Sequence, residues 1–210
     1  MSVRELRDLG RLLDAGADGR SAGLAGRSAR AAERDDLVDV AYAFADGPMG
    51  RLLVAVTARG VVRISYLATE GEDRVLQDLS TKVSPRVLES DRLTAEARRE
   101  LDQYLDGRRR TFDVPVDLST VQGFGLRVLE VTAGIPFGRV QSYSQVAAAA
   151  GNPRAARAAG NALGANPVPI IVPCHRVLPR GGGVGGYAGR PERKVALLRL
   201  EGSLPERLPV

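Results

Sequence analysis

The chain holds a single cysteine and a single histidine, and they are neighbours: Cys174 and His175, within Pro173-Cys174-His175-Arg176-Val177. One cysteine makes an intrachain disulfide impossible. A structural zinc site takes about four Cys/His ligands and a catalytic one about three. No carboxylate cluster makes up the shortfall, so no metal is expected. The fold has to be held by a packed core, and 44% hydrophobic with 26% charged residues over 210 positions is an ordinary composition for one. The length suits about one or two domains. The same singularity confines any Cys- or His-dependent chemistry to one pentapeptide.

No apolar run approaches the ~18 residues of a membrane span. The start, Met1-Ser2-Val3-Arg4-Glu5, lacks the apolar core of a secretory signal. A cytoplasmic location is expected, and a free cysteine fits a reducing compartment. The net charge of +5 permits a polyanionic partner without requiring one.

Residues 1–36 read as an extension: Val3, Leu6, Leu9 and Leu13 have helical spacing, and the Ala/Gly/Arg-rich stretch after them reads as a linker. Residues 38–67 read as a β-meander, with turns at Asp46–Gly50 and Arg59-Gly60. Helices are expected over 70–82 and 93–106, the second closed by Gly107. Arg108-Arg109-Arg110 reads as a solvated basic cluster rather than a phosphate clamp. A second unit starts near 116. Thr120 is the expected cap of a helix over 121–134, closed by Ile135-Pro136-Phe137-Gly138. Ser142–Ala150, the breaker Gly151-Asn152-Pro153 and Arg154–Leu163 have a helix-turn-helix outline. Val168–Val172 reads as a buried strand leading to the Cys-His pair, and 191–200 as a last helix with Pro191 in its first turn.

Several motifs carry two readings. The small, Ala-rich second helix with Arg154 and Arg157 fits a DNA groove or a tight packing face equally well. Cys174 is a nucleophile activated by a neighbouring base, or a buried structural cysteine. Successive residues of an extended strand point to opposite faces, so cooperation between Cys174 and His175 needs irregular backbone or a bridging water. Glu201 shares a helix face with Leu197 and Leu198 and sits against the macrodipole. It either orients His175 or belongs to a solvated helix end. The glycine-rich loop 181–186 beside Tyr187 is a flexible turn, or a wall that lets a flat ligand approach.

In order, the motifs Ile-Pro-Phe-Gly (135–138), Ser-Tyr (142–143), Gly-Asn-Pro-Arg-Ala-Ala-Arg (151–157), Asn166–Val177, Gly-Gly-Tyr (185–187) and Leu-Glu-Gly (200–202) closely resemble the O6-alkylguanine-DNA alkyltransferases. The resemblance implies three parts. Residues 1–36 are the extension. Residues 37–115 form an α/β domain, ribonuclease-H-like, with a small antiparallel sheet plus helices. Residues 116–205 form a mainly α domain with the helix-turn-helix.

It also implies direct-reversal DNA repair, without a cofactor, by a protein that is a monomer in solution. The protein would flip O6-alkylguanine, and O4-alkylthymine, out of double-stranded DNA held in the minor groove. The alkyl group would pass irreversibly to Cys174, once per protein. His175 would act as base through a water, Glu201 would hold its ring, Tyr143 would hydrogen-bond the base and Asn166 would brace the backbone. Arg157 would fill the gap in the duplex. Ala156, Arg154, Tyr187, Val177, Ala188 and Arg176 would complete the DNA and lesion contacts, Val177 through its carbonyl. Two departures stand out: Ala188 replaces a common hydroxyl residue, and Arg139 stands where an acid is common. A non-catalytic lesion binder would lack Cys174, a transcription factor would need base-reading side chains, and a Cys-His hydrolase would turn over.

Overall fold

Apolar alternation builds the strands where the sequence places them: β1 Val40–Ala45, β2 Leu52–Thr57 and β3 Gly60–Tyr66, paired antiparallel. The structure, a computed structural model, describes residues 38–181, 183–187 and 190–204. The helix and linker expected within 1–36, and Ala188, lie outside the described residues. A fourth strand, β4 Val87–Glu89, pairs parallel with β1, giving the order β3-β2-β1-β4. At three residues it is too short to leave a period-two pattern.

Helices cover both faces of this sheet. After the single turn α1 (Leu67–Glu70), helix α2 (Glu72–Lys82) buries Val75 and Leu79 against Val40, Leu53, Ala55 and Val62. Helix α3 (Asp91–Leu105) lays Ala97, Leu101 and Tyr104 on the other face, with Val54, Val61, Ile64 and Tyr66. A register shift at Ala55/Val56 lets Val61 and Ile64 share that face despite their odd spacing. Ser90 caps α3 by accepting from the Leu93 N–H at 3.2 Å. Gly107 closes it at φ 74°, with its N–H on Tyr104 O and the Arg108 N–H on Gln103 O.

The basic cluster after α3 is not uniformly solvated. Arg109 pairs with Glu100 at 3.3 Å and Asp113 at 3.0 Å, while Arg108 and Arg110 are exposed. Glu100, 1% exposed, also accepts from the N–H groups of Asp113 and Val114. A buried carboxylate thus fixes the start of the connection to the second half of the chain.

The free edge of β3 is covered rather than left open. Val61 N–H donates to Pro115 O, Asp117 N–H to Val61 O and Ile64 N–H to Pro167 O. The last of these joins the sheet to the segment that leads to Cys174. Helices α4 (Gly123–Ala133), α5 (Tyr143–Ala149), α6 (Ala156–Gly164) and α7 (Pro191–Leu200) are the remaining α-helices among the described residues. Val128, Leu129, Ile135, Val146, Ala159, Leu163 and Leu197 share the core of Leu101 and Tyr104.

Two expectations are corrected. Thr120 does not cap α4: the cap position is Gln122, and the helix opens on Gly123 at φ 61°. Val168–Val172 is buried but is not a strand. Pro167 and Pro169 remove backbone donors, Ile170 sits at φ 77°, and Val172 N–H turns back to Val168 O.

Gly60 combines φ 132° with a would-be Cβ only 2.3 Å from Pro115 O. Gly60→Ala is expected to destabilise the protein by more than about 2 kcal/mol. Gly181→Ala, with nothing within 4 Å, should change stability by less than about 0.5 kcal/mol. Denaturant melts of the two variants check the contrast.

Candidate active site

Asn166 organises the approach to the cysteine. Its Nδ2 donates to Val172 O at 2.9 Å, and its Oδ1 accepts from Val168 N–H at 3.0 Å. One side chain therefore supplies the donor and acceptor that a strand partner would have supplied, and the amide also faces the Cys174 thiol. The chain then enters one turn of 3₁₀ helix, Cys174–Arg176. This is the irregular backbone that adjacent cysteine and histidine need in order to work together.

Cys174 is 7% exposed and lies on the wall of an open cavity of about 490 Å³, with Tyr143, Gly160, Leu163, Gly186 and Tyr187. Burial pushes its thiol pKa up. Asn166, the Lys194 charge and the backbone N–H groups of 174 and 175 pull in the other direction without prevailing. At rest the group is a thiol that needs a base.

His175 is the neighbouring imidazole. The ring is fully buried, and burial holds its pKa below the usual imidazole value, so it is neutral. Its Nε2–H donates to Glu201 Oε1 at 2.9 Å. A neutral ring protonated at Nε2 presents a lone pair at Nδ1. That atom is buried and has no hydrogen-bond partner among the described residues.

Glu201 is the anchor. Burial pushes its carboxyl up, but hydrogen bonds from His175 and Arg176, together with one from Tyr104, bring it down to about 2. Arg176 Nη2 lies 2.7 Å from Oε1, and Arg176 Nε lies 2.9 Å from Oε2. Gly138 N–H donates to Oε2 at 3.2 Å. Gly138 has φ 75°, and a Cβ there would sit 3.1 Å from Glu201 O, so the Ile135–Gly138 turn wraps the end of α7 only with glycine.

Arg176 is a correction. It was expected to touch the lesion, but it is 6% exposed and committed to Glu201 and Ile135 O. Its guanidinium faces the Phe137 ring, away from the cavity of Cys174. An arginine beside a catalytic pair reads as a ligand contact from sequence; here it neutralises a buried carboxylate.

The sequence reading missed two residues. Lys194 is fully buried, donates from Nζ to Val177 O at 2.6 Å and lies 5.7 Å from the centre of the Tyr143 ring. Burial lowers its pKa to about 8, against the opposing pull of Cys174. Its signal was available, because Lys194 shares the helix face of Leu197, Leu198 and Glu201. Tyr104 reaches Glu201 from α3 and left no such signal, since it falls on an apolar stripe with Ala97 and Leu101.

Tyr143 is half-buried, and burial keeps its hydroxyl protonated, so it can donate into the cavity. It starts α5 behind a Ser142–Gln145 capping box. Gly160 of α6 lies against its ring, with a would-be Cβ at 3.7 Å. Helix α6 packs on one side and is exposed on the other. Ala159 and Leu163 are buried; Arg157 and the preceding Arg154 are exposed, with Ala156 between them half-buried. Val177 is buried in a two-residue parallel pairing with Gln141–Ser142, and its carbonyl already holds Lys194. Tyr187 is buried and stands edge-on to His175, with ring centroids 6.2 Å apart.

The folded-state pKa of Glu201 is depressed from 4.5 to about 2. Its contribution, about 3 kcal/mol at most, is therefore complete above pH 4.5 and is lost as pH falls toward 2. Glu201→Gln should remove that acid-dependent loss. It should also lower stability at neutral pH by about 3–5 kcal/mol, because Arg176 would be left buried and unpaired. Urea melts of both proteins between pH 2 and 7 measure the two effects.

Residues 40–118 match the family described as 6-O-methylguanine DNA methyltransferase, ribonuclease-like domain, and residues 123–203 match its DNA binding domain. The constitutive methylated-DNA–protein-cysteine methyltransferase of Bacillus subtilis (strain 168) is 34% identical over 163 residues, spanning 76% of this chain and 94% of that protein. A methylated-DNA–protein-cysteine methyltransferase of Mycolicibacterium paratuberculosis is 40% identical over 144 residues, 66% of this chain and 87% of that one. Among solved structures, the O6-methylguanine methyltransferase of Mycobacterium tuberculosis superposes with a TM-score of 0.68 at 34% identity, covering 80% of this chain and 96% of that one. The M. tuberculosis OGT in complex with DNA gives 0.67 at 34% identity, over 78% and 93%. A buried cysteine on an open cavity, a neutral histidine and a carboxylate behind it thus occur here on the fold those proteins share, and the chain belongs to the 6-O-methylguanine DNA methyltransferase family.

Proposed function

We propose that this chain repairs O6-alkylguanine in double-stranded DNA by moving the alkyl group onto Cys174. The observation that carries the reading is the pairing of a buried thiol on an open cavity with a neutral histidine whose Nδ1 is free to take a proton. His175 Nδ1 accepts the Cys174 proton through a water. Sγ attacks the alkyl carbon, the carbon–O6 bond breaks, and its electron pair leaves with guanine. The net change is alkyl to sulfur and the thiol proton to guanine. Lys194, cationic at neutral pH, favours the thiolate. Tyr143 donates a hydrogen bond to the departing base. Asn166 braces the loop. The product is a thioether, with no carbonyl for water to attack, so each protein acts once.

A base inside a duplex cannot reach this cavity, so it must be extruded. We assign Arg157 to the gap it leaves, with the helix-turn-helix in the minor groove and Ala156 and Arg154 beside the backbone. Tyr187 walls the cavity. The Val177 carbonyl has a second lone pair for the guanine amine while it holds Lys194. O4-alkylthymine is a second substrate in this reading. We take residues 37–115 as the α/β domain and 116–205 as the DNA-binding and transfer domain of a cytoplasmic monomer. Among the described residues no helix is long and apolar enough to cross a membrane.

Mixing the protein with excess O6-methylguanine duplex should consume one lesion per protein and stop, with the added mass of one methyl group on Cys174 by intact-protein and peptide mass measurement. Cys174→Ser should bind the duplex and transfer nothing detectable, since a serine alkoxide is far harder to form than a thiolate. Repeated turnover, or methyl on another residue, would sink the assignment.

Arg157→Ala should slow repair in duplex DNA at least tenfold more than it slows alkylation by free O6-benzylguanine, which needs no extrusion. Equal losses in the two single-turnover assays would reject an intercalating Arg157.

A further inference from the structure

We propose that Tyr104 is a positioning residue for the alkyl-transfer base: its hydroxyl, delivered from α3 of the sheet-bearing half, fixes the Glu201 carboxylate and the tautomer of His175. The inference rests on the reading of His175 as the base.

Tyr104 is fully buried. Its Oη lies 2.5 Å from Glu201 Oε1 and 3.3 Å from His175 Nε2. Glu201 is a carboxylate and can only accept, so Tyr104 is the donor. Burial, followed by the charge of Glu201, holds the phenol well above its ordinary pKa. It therefore stays a donor at every pH at which the protein works.

The hydroxyl cannot drift. The ring packs between Phe112 at 5.1 Å and Phe137 at 6.1 Å, measured between centroids. The Tyr104 carbonyl takes part in the Gly107 closure of α3. The backbone of α3 sets its position, and Phe112 and Phe137 set the direction of its ring.

Oε1 receives Tyr104 O–H, His175 Nε2–H and Arg176 Nη2–H together. Donors from three residues leave that oxygen one orientation and spread its negative charge. The ring of His175 then keeps its proton on Nε2 and its lone pair on Nδ1, toward the thiol. The charged and polar groups around His175 are Glu201, Arg176, Lys194, Tyr104 and the edge-on ring of Tyr187. Arg176 and Lys194 oppose a second proton on the ring, and Glu201 favours it. Removing the Tyr104 donor concentrates charge on Oε1 facing Nε2. The ring should then take a second proton more easily, which removes the lone pair from Nδ1.

His175 is the only histidine, so ¹⁵N-histidine labelling of the full chain gives one pair of ring resonances that read tautomer and pKa directly. In the unaltered protein Nδ1 should give the unprotonated signal and Nε2 the protonated one. In Tyr104→Phe the two should move toward each other, and the apparent His175 pKa should rise by about half a unit or more. Single-turnover transfer from O6-methylguanine duplex should fall about tenfold, with its acid limb moved to higher pH. DNA affinity should stay within about twofold, because no DNA-facing group changes. A loss of packing alone would lower the melting temperature without moving the ¹⁵N signals. If Tyr104→Phe does not fold, 3-fluorotyrosine at 104 keeps the ring and makes a stronger donor, and the His175 pKa should fall. Folded Tyr104→Phe with unchanged signals, pKa and rate, or fluorotyrosine without a shift, overturns the proposal. An unaltered protein that shows the expected resonances yet transfers nothing would instead overturn the functional reading and leave the positioning role standing.

Discussion

The Glu201 carboxylate is the point from which the site is built. It lies at the end of α7, where the helix dipole disfavours an anion, and is buried besides. Four residues from three places stabilise it there: Tyr104 on α3, Gly138 in the turn after α4, and His175 and Arg176 in the 3₁₀ turn. The donors belong to three separate stretches of chain, so satisfying one carboxylate fixes their relative positions. A buried charge costs several kcal/mol unless fully paired. Arg176 supplies the opposite charge, which leaves His175 to contribute only a neutral N–H. That division matters chemically. If histidine were the cation balancing Glu201, its Nδ1 would already carry a proton and could not take one from Cys174.

Two of the described cavities have similar size and different chemistry. The one of about 530 Å³ lies on the Phe137 and Arg176 side and is lined by Arg110, Glu130 and apolar residues. It meets the back of the ion pair and has no nucleophile. The cavity of about 490 Å³ has Cys174 in its wall. Between the two stands the His175–Glu201–Arg176 row. Its Nε2 side is closed by hydrogen bonds, and its Nδ1 is buried without a partner among the described residues. In the proposed transfer, that asymmetry gives the proton one direction in which to leave the thiol.

Much of this was legible in the sequence, for reasons that differ residue by residue. Strands β1 to β3 follow from apolar alternation, and the end of α3 from Gly107. Glu201 was recognisable because an acid on an apolar helix face must find a partner. The same argument applied to Lys194 would have found it. Val168–Val172 was misread because burial and β-branched residues are shared by strands and by tightly folded loops. What distinguishes them is a side chain, Asn166, doing the work of a neighbouring strand, and that is a tertiary fact. Arg176 was misplaced because sequence adjacency says nothing about which way a side chain leaves a 3₁₀ turn. Tyr104 was invisible, since its hydroxyl sits 97 positions from its partner and its ring fits the core pattern.

Those misses share a cause. The local signals of this chain describe how each segment buries its apolar face, and they do so well. The catalytic arrangement depends on polar atoms that meet across segments, where burial makes each unmade hydrogen bond expensive. Asn166 substitutes for a strand, Gly138 admits a carboxylate to a turn, and Arg176 and Tyr104 converge on one oxygen. Each is a local departure from regular structure, offset by a long-range polar contact. The thiol ends up on a loop that is irregular in backbone yet pinned at Val168 and Val172 by one amide and closed behind by one ion pair. A nucleophile that acts only once gains nothing from being mobile. It needs its sulfur, its base and the entering base held in register at first encounter, and these contacts hold the first two.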